Sequence, residues 1–473
     1  MNIALPEVDL ATLLPEGILL TTAAAILFLR GARANGTALA AAMAAAAVSL
    51  LLSLFPYPGA AGGAFDGLVG KDAAALLFLV LTDLAALAAM ALSRRETVRD
   101  ENGETYYGLV LFALLGMHVM VFARDLLVIF LGMEILALPL YVLAGFDRGR
   151  KEGMEGSVKY FLLGGFSSAL FLLGTALYYG AVGTTGMDGL SASPAAPLLL
   201  AAGLALVVAA LGFKITAVPF HMWAPDVYEG APLGVAALLS AAPKAAAFAV
   251  LLRIGLAVPG AGTDFLPWAG AVMAGASMAV GNLAALRQEN LVRMLAYSGV
   301  AQGGYMLMGL PALAGDGPPA LAFYLLVYIL MNLGAFAVAV TVAGGKGGSV
   351  NIGDLSGLAS RRPLLAFAMA VFMVSLAGLP PTGGFFAKFY MFKAALGAGW
   401  LFLVLLAVGM TVVSLFYYLR VVAVMYMTDE KGGRAVPSGA PLAGGLAALL
   451  ALATLAAGIL PSWIFQGIGR VFP

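Results

Sequence analysis

The sequence predicts an all-α polytopic membrane protein, and three observations support that prediction. Of the 473 residues, 62% are hydrophobic and only 10% are charged, whereas a typical soluble domain carries about 25% charged residues. The apolar residues form about fourteen segments that are each long enough to cross a bilayer. The chain also contains 60 glycines, and small residues allow membrane helices to approach one another closely.

The fourteen segments follow one another without a gap long enough for a soluble domain. They lie near residues 14–30, 37–55, 71–93, 107–123, 125–145, 156–180, 196–218, 233–256, 266–286, 292–311, 319–343, 364–397, 400–427 and 440–466. The N-terminal stretch MNIALPEVDLATLLPEG is acidic and lacks the basic leader of a signal peptide. We therefore expect the first segment to remain in the mature protein.

Composition excludes several classes of function. The formal net charge of +1 argues against nucleic-acid binding. The absence of cysteine excludes disulfides, iron–sulfur clusters and thiolate zinc sites. Two histidines are too few for a multi-haem protein.

Basic residues occupy alternate loops, which predicts an orientation in the membrane. The basic loops contain Arg30 and Arg33; Arg94, Arg95 and Arg99; Arg148, Arg150 and Lys151; Arg287 and Arg293; Lys346, Arg361 and Arg362; and Lys431 and Arg434. The other loops contain only two basic residues, Lys71 and Arg124, both at helix ends, together with acids such as Asp188, Asp264 and Asp316. The positive-inside rule places the basic loops in the cytoplasm. Both termini then face the opposite side, as an even number of helices requires.

Several ionisable residues lie inside the predicted spans, where a charge at mid-helix costs about 2.5–3.5 kcal/mol. They are Asp83, Glu134, Lys159, Lys214, Lys244 and Lys388, with His118, Arg253, Lys393 and Arg420 nearer to helix ends. Pairing with an acid, contact with water or loss of the proton can offset this cost. A lysine that is readily neutralised can also pass a proton on.

The depth of an ionisable residue in the membrane helps to distinguish a functional role from a structural one. Lysines near helix ends can extend to the headgroups; this interpretation is favoured for Lys393, and both interpretations stay open for Lys159. The deeper residues Glu134, Lys214 and Lys244 favour a functional role.

Two further residues favour a structural interpretation. Asp83 is deep but has no partner that the sequence reveals. His118 stands alone on an apolar helix, which is typical of a hydrogen-bonded structural histidine.

Two segments are too long for one straight helix and are interrupted by proline. The first contains GFKITAVPFHMWAPDVYEGAP (212–232), in which Pro219 follows Lys214. The second contains GLPPTGG (378–384), and Lys388 follows Pro381. Irregular backbone at membrane depth is tolerated only where it lines protein or water. A pair of interrupted segments, each with a deep lysine, predicts an ion pathway.

The motifs of the chain resemble those of the antiporter-like subunits of respiratory NADH:quinone oxidoreductase, complex I. The resemblance extends from about residue 105 through VPFHMWAPDVYEGAP, FLGMEILALPLYVLAG, SVKYFLLGGFSSALFLLG, QENLVRMLAYSGVAQGGYML and LAGLPPTGGFFAKFYMF. The DVYEGAP variant is similar to the subunit N branch of that family. Lys388, where a glutamate would favour the subunit M branch, agrees with subunit N.

The resemblance implies a specific architecture. It divides the chain into N-terminal helices 1–3 (1–104), a first antiporter-like repeat of helices 4–8 (105–256), a second repeat of helices 9–13 (257–427) and a C-terminal loop with helix 14 (428–473). The two five-helix repeats are inverted relative to each other, and each contains one broken helix. Family positions for proton relay fall on Glu134, Lys159, Lys214, Lys244 and Lys388, and a family histidine beside the broken helix falls on His221.

The chain departs from the family pattern at two positions. Pro243 directly precedes Lys244, where relatives usually have a small residue other than proline. This proline is expected to kink the helix and to free a carbonyl near Leu239 for a water molecule. Gln302 occupies a position where many relatives carry histidine, and we expect water to replace that relay group.

The resemblance also implies a location and partners. It implies a multi-pass subunit of the bacterial inner membrane that translocates protons and lies beside subunits of the M and K types. It holds no cofactor of its own, while FMN, iron–sulfur clusters and quinone belong to other subunits. Two alternatives stay open: a component of a free-standing cation/proton antiporter or related quinone oxidoreductase, and a purely structural scaffold.

Overall fold

A computed structural model describes residues 11–28, 34–55, 63–97, 102–188, 196–257, 265–344, 350–428 and 441–472. Over these ranges the chain is almost entirely helical. The helices are α1 (Leu14–Leu27), α2 (Ala34–Leu54), α3 (Ala73–Thr97), α4 (Gly103–Phe122), α5 (Leu126–Ala144), α6 (Lys151–Val182), α7 (Pro197–Ile215), α8 (Trp223–Gly230), α9 (Leu233–Ala257), α10 (Phe265–Ala285), α11 (Leu291–Leu307), α12 (Gly317–Ala343), α13 (Leu358–Arg361), α14 (Pro363–Ala377), α15 (Gly383–Gly397), α16 (Leu401–Met427), α17 (Pro441–Ile459) and α18 (Pro461–Gly469). One short antiparallel hairpin, β1 (Gly63–Ala64) and β2 (Val69–Gly70), precedes α3.

The helices have the length and composition of membrane spans. Eleven helices of the described residues are long and apolar enough to cross a bilayer, and α1 and α14 are shorter apolar helices. Each of the fourteen predicted segments contains at least one helix. The chain is therefore a multi-pass α-helical membrane protein. The side chains of Arg30, Arg33, Arg95, Arg99, Asp264, Lys346, Lys431 and Arg434, and both chain ends, lie outside the described residues.

The structure confirms both predicted helix interruptions. Helix α7 ends at Ile215, Thr216 has a left-handed φ of 63°, and the chain resumes as the short helix α8. Helix α14 ends at Ala377, and α15 starts six residues later at Gly383. Gly378 makes the turn at a φ of 84°, which glycine adopts without the steric cost of a Cβ atom. The Val218–Pro219 and Pro380–Pro381 peptide bonds are cis.

Helices α9 and α12 form the centre of the molecule. The spanning part of α9 is buried along its whole length, and that of α12 is nearly so. Helix α9 packs against α3, α4, α5, α7, α8 and α12. By contrast, α6 and α16 expose large apolar side chains such as Phe166 and Phe416, as expected for helices that face lipid.

Candidate functional site

Three of the predicted lysines lie in the protein interior. Lys214 is in the last turn of α7, Lys244 is near the middle of α9, and Lys388 is early in α15. Their exposed fractions are only 2%, 1% and 4%. The two helix interruptions therefore each have one buried lysine beside them, and the third lysine lies on the central helix.

Lys244 is bound across the interface between α9 and α11. Its Nζ donates a hydrogen bond of 2.7 Å to the carbonyl oxygen of Gly299, and it lies 5.6 Å from the centre of the Tyr328 ring. No acid lies within ion-pair distance of it among the described residues. The carbonyl and the face of the aromatic ring are therefore the groups that stabilise its ammonium.

Pro243 affects the hydrogen bonds of α9 as the sequence predicts, but tyrosine hydroxyls bind the neighbouring carbonyls. Proline has no N–H, so the carbonyl one turn earlier loses its helical donor. The Tyr228 hydroxyl donates to the Leu239 carbonyl at 3.1 Å, and the Tyr328 hydroxyl donates to the Ser240 carbonyl at 3.1 Å. The Leu239 carbonyl therefore has a protein donor, and the expectation that water also serves it stays a prediction.

Lys388 faces the end of the helix that precedes the second interruption. Its Nζ donates to the carbonyl oxygen of Ala377 at 3.2 Å and lies 4.6 Å from the centre of the Tyr305 ring. Ala377 is the last residue of α14, and carbonyls at a helix C-terminus carry partial negative charge. Because the helix is interrupted here, the carbonyl of Ala377 is available to accept a hydrogen bond from Lys388. In an uninterrupted helix it would accept from a backbone N–H.

A buried polar network lies between Lys244 and Lys388. Ser298, next to the carbonyl that Lys244 binds, hydrogen-bonds the Tyr418 hydroxyl at 2.5 Å. The Gln302 amide donates at 3.1 Å both to Tyr418 and to the carbonyl of Leu376, the neighbour of the residue that Lys388 binds. The Tyr324 hydroxyl donates to Gln302 at 2.6 Å.

Helices α12, α14 and α16 thus supply partners for both amide hydrogens of Gln302 and for its carbonyl oxygen. The expectation that water takes the place of the family histidine here stays a prediction. The sequence did not identify these hydroxyl groups, since tyrosine and serine are common in apolar helices and carry no distinctive signal.

Lys214 has a different environment from the other two lysines. Among the described residues its Nζ has no hydrogen-bond partner, and it lies 5.9 Å from the ring of Phe213. Glu134 on α5 is partly buried and accepts a short hydrogen bond from Ser168 on α6. Glu134 and Lys214 therefore do not form a direct ion pair, although both lie on helices that pack against α6.

His221 lies in the interruption between α7 and α8. Its imidazole is partly buried, and its Nδ1 atom has no hydrogen-bond partner among the described residues. The structure thus places a titratable ring near the end of the helix that holds Lys214, as the sequence predicts.

Lys159 belongs to a surface ion-pair network rather than to the buried lysines. Its Nζ lies 2.7 Å from both Glu155 and Asp226, and its side chain is 43% exposed. Arg293, at the start of α11, contacts Asp226 at 2.8 Å and Glu229 at 3.0 Å. The two acids of DVYEGAP therefore join α6, α8 and α11.

These contacts set the charge state of Asp226, which lies on α8 outside the spanning helices. Burial acts to raise the pKa of its carboxyl group, but hydrogen bonds from Lys159 and Arg293 outweigh that effect and lower it. Asp226 is therefore ionised throughout the physiological range. The peripheral interpretation of Lys159, which the sequence left open, agrees with this geometry.

The other ionisable residues in or near the predicted spans have identifiable partners. Arg253 pairs with Asp72 at 3.1 Å, and Lys393 pairs with Asp316 at 3.2 Å on the surface. Arg420 donates to the carbonyl of Leu286 at 3.4 Å. Asp83 and His118 contact each other and belong to a separate cluster in the first four helices.

Comparison with known proteins places this arrangement in a family. The family described as NADH:quinone oxidoreductase/Mrp antiporter, TM matches residues 123–414, which include all six predicted site residues. The NADH-quinone oxidoreductase subunit N of Trichlorobacter lovleyi is 44% identical over 414 residues, covering 85% of this chain and 84% of that protein. The chain belongs to the subunit N family of NADH-quinone oxidoreductase.

Solved structures agree with that membership. A chain of respiratory complex I from Thermus thermophilus with bound aureothin matches with a TM-score of 0.82 and 35% identity, covering 96% of this chain and 99% of that one. A chain of the Mrp complex from Dietzia sp. also matches with a TM-score of 0.82, at 25% identity, covering 98% and 97%. The subunit N family thus shares its fold with an Mrp complex.

Proposed function

We propose that this chain is a proton-translocating membrane-arm subunit of a bacterial NADH:quinone oxidoreductase. The observation that best supports this proposal is the set of three buried lysines, with a polar network between two of them. The amine of Lys244 binds α11 beside Ser298. Gln302 on the same helix donates to the carbonyl of Leu376, the residue before the Ala377 whose carbonyl Lys388 binds. Electron transfer by other subunits, which hold FMN, iron–sulfur clusters and quinone, drives the process.

The lysines act as successive proton carriers in this proposal. A neutral amine accepts a proton from one side, and the carbonyl and aromatic groups around it stabilise the ammonium. Serine and tyrosine hydroxyls can each accept one proton while donating another, so Ser298 and Tyr418 can carry a proton over part of the distance between Lys244 and Lys388. Moving one charge against 100 mV requires about 2.3 kcal/mol, which the rest of the complex must supply.

Lys214 is assigned the entry side of this series, with Glu134 and His221. Its ammonium lacks a hydrogen-bond acceptor among the described residues. Glu134 acts on it through space, since Ser168 rather than the lysine binds its carboxylate. Lys159 is assigned to the cytoplasmic end of the pathway, through Asp226.

The proposal includes the finer architecture that the family resemblance implies. The chain has fourteen spanning segments, with two inverted five-helix repeats at 105–256 and 257–427, preceded by helices 1–3 and followed by helix 14. Each repeat contains one broken helix. The protein lies in the inner membrane with both termini on the periplasmic side, beside subunits of the M and K types. The paired interruptions at α7–α8 and α14–α15 support this division.

The Mrp complex match favours a second candidate, a subunit of a cation/proton antiporter. Copurification discriminates between the two. Affinity purification of the tagged full chain from gently solubilised membranes should recover peripheral subunits that oxidise NADH. Recovery of an assembled complex without those subunits would favour the antiporter.

Proton transport itself is tested in inverted membrane vesicles. Acidification of the vesicle interior on addition of NADH should require Lys214, Lys244 and Lys388, while electron transfer to an artificial acceptor should not. Normal acidification in variants in which these lysines are replaced by methionine would contradict the proposal.

A further inference from the structure

The first four helices enclose a chain of charged side chains that the lysine series does not use. Lys71 Nζ lies 2.8 Å from Glu16 Oε2, and Glu16 Oε1 lies 3.1 Å from Nδ1 of His118. The Nε2 atom of His118 lies 3.2 Å from Asp83 Oδ1, and Ser49 donates to Asp83 Oδ2 at 3.1 Å. The five residues come from α1, α2, α3, α4 and the segment before α3, and we call them the N-terminal cluster.

All five residues are buried, and none has more than 6% of its whole-residue surface exposed. Lys71 makes one further hydrogen bond, to the carbonyl of Thr12 at 2.7 Å. Among the described residues, no hydrogen bond joins the cluster to Lys214, Lys244 or Lys388. The cluster is therefore a separate group of titratable residues, and the sequence offered no partner for its aspartate.

Hydrogen-bond geometry fixes the minimum number of protons in the cluster. A neutral imidazole has one N–H donor and one acceptor nitrogen, whereas an ionised carboxylate can only accept. Both ring nitrogens of His118 face carboxylate oxygens. A neutral ring between two ionised carboxylates would direct one lone pair at an oxygen lone pair. One additional proton is needed, on the ring or on a carboxyl group.

Charge balance leads to the same number. If the additional proton is on His118, the two carboxylates balance the charges of Lys71 and the imidazolium. If it is on one of the carboxyl groups, the remaining carboxylate balances Lys71. The net charge of the cluster is zero in both cases. Without it, the cluster holds a net charge of −1 among apolar helices, where an uncompensated charge is strongly disfavoured. Helices α5 and α9 also pack on α4, but among the described residues they place no titratable group within hydrogen-bond distance of His118.

We propose that Glu16, His118 and Asp83 form a proton-binding site, distinct from the lysine series, that holds one proton shared along the line from carboxyl to imidazole to carboxyl. The proton moves between Asp83 and His118, or between His118 and Glu16, within existing hydrogen bonds. No other bond forms or breaks in this transfer.

Glu16 is the part of this site that reaches the outside. A cavity of about 720 Å³ lies between α1, the β1–β2 hairpin, α4 and α5, and Glu16 is the one titratable residue among those that line it. The Glu16 side chain is 7% exposed, while those of His118 and Asp83 are fully buried. Protons therefore exchange with the surroundings through Glu16, on the side of the membrane where the hairpin lies.

The histidine content of the chain makes the ring directly observable. The chain has only two histidines, so His221→Gln leaves His118 as the single imidazole. The full-length variant, labelled with ¹⁵N-histidine and reconstituted in lipid vesicles, is measured by solid-state NMR, and protonated carboxyl groups are measured by infrared spectroscopy. At neutral pH we expect either two protonated ring nitrogens, or one together with one carboxylic acid. A neutral ring without a carboxylic acid signal from Glu16 or Asp83 would overturn the proposal.

Asp83→Asn removes the need for the additional proton. The asparagine amide can donate to Nε2, so a neutral ring is satisfied and Glu16 remains paired with Lys71. The shared proton should disappear, with no change in the melting temperature beyond a few degrees. Ser49→Ala is the matched control, because it removes a hydrogen bond to the same carboxylate without removing a titratable group, and it should retain the proton. A proton that persists in Asp83→Asn would disprove the site, and if that variant does not fold, the NMR and infrared result on the histidine variant alone decides.

Discussion

Replacement of Lys244 by methionine tests the assignment of this residue as the central proton carrier. The side chain is 1% exposed, and its amine binds the Gly299 carbonyl at 2.7 Å without an acid nearby. Methionine retains most of the side-chain length and removes the titratable group. The hydroxyls of Tyr228 and Tyr328 bind the backbone of α9, not the lysine, so these contacts should persist.

The expected effect on stability is small because two contributions oppose each other. A charged lysine at mid-membrane depth costs about 2.5–3.5 kcal/mol. A hydrogen bond from a charged group contributes about 1.5–3 kcal/mol. Loss of both changes the free energy of unfolding by no more than about 2 kcal/mol, in the stabilising direction if the charge dominates. The complex should therefore assemble normally.

The expected effect on proton transport is large. In the variant, no side chain at this position of α9 can bind the proton. The proton must then pass as an unbound charge in an apolar environment, which raises the barrier of this step. A barrier higher by about 2.5–3.5 kcal/mol slows a step roughly a hundredfold. Pumping driven by NADH should therefore fall close to the detection limit, in vesicles that contain normal amounts of assembled complex.

Lys393→Met is the matched control for this experiment. Lys393 pairs with Asp316 at 3.2 Å on the surface, and its side chain is 62% exposed. Because exposed ion pairs contribute little, pumping should stay near the wild-type level. Assembled Lys244→Met complex with an unchanged proton-to-electron ratio would refute the assignment of Lys244.

Three other predictions test separate parts of the proposal. Glu134→Gln should lower proton pumping more than Ser168→Ala does, because only the first removes the negative charge; equal and normal pumping in both would remove Glu134 from the pathway. Asp226→Asn should lower the melting temperature by a few degrees near neutral pH, since two partly exposed ion pairs contribute up to about 1 kcal/mol each. Its neighbours lower the pKa of Asp226, so this contribution is complete above about pH 4 and is lost as the pH falls further; the variant should therefore converge with the wild type in acid. Arg150→Cys, in a chain without native cysteine, should react with an impermeant reagent only from the cytoplasmic side.

The sequence predicted the buried lysines and both interruptions because each has a strong local signal. Proline at 219 and 381 cannot continue a helix, and a lysine within an apolar run is unusual enough to identify by inspection. The sequence identified Glu134 and Lys214 as deep residues with a functional role. It did not identify Ser168 on α6, which binds the Glu134 carboxylate, because the pattern of one helix does not show which face of a neighbouring helix it meets.

The N-terminal cluster shows the limit of such reasoning most clearly. Glu16 and His118 are 102 residues apart in sequence, and helix periodicity does not predict which faces of distant helices meet. The partners of Asp83 therefore could not be identified from the sequence. The hydroxyl network around Gln302 was missed for the same reason, since its members lie on three different helices.

The complete burial of α9 has a consequence for how the protein is made. Ribosomes synthesise the chain from the N-terminus, so Lys244 enters the membrane before Gly299 and Tyr328 exist to bind it. The ten Leu, Val, Ile and Phe residues of α9 favour its insertion by about 3–6 kcal/mol in total, at 0.3–0.6 kcal/mol each. This is comparable with the cost of the lysine alone, and Pro243 and Arg253 of the same helix add to that cost. Insertion of α9 is thus close to balanced until the later helices enclose it and supply the partners of its lysine.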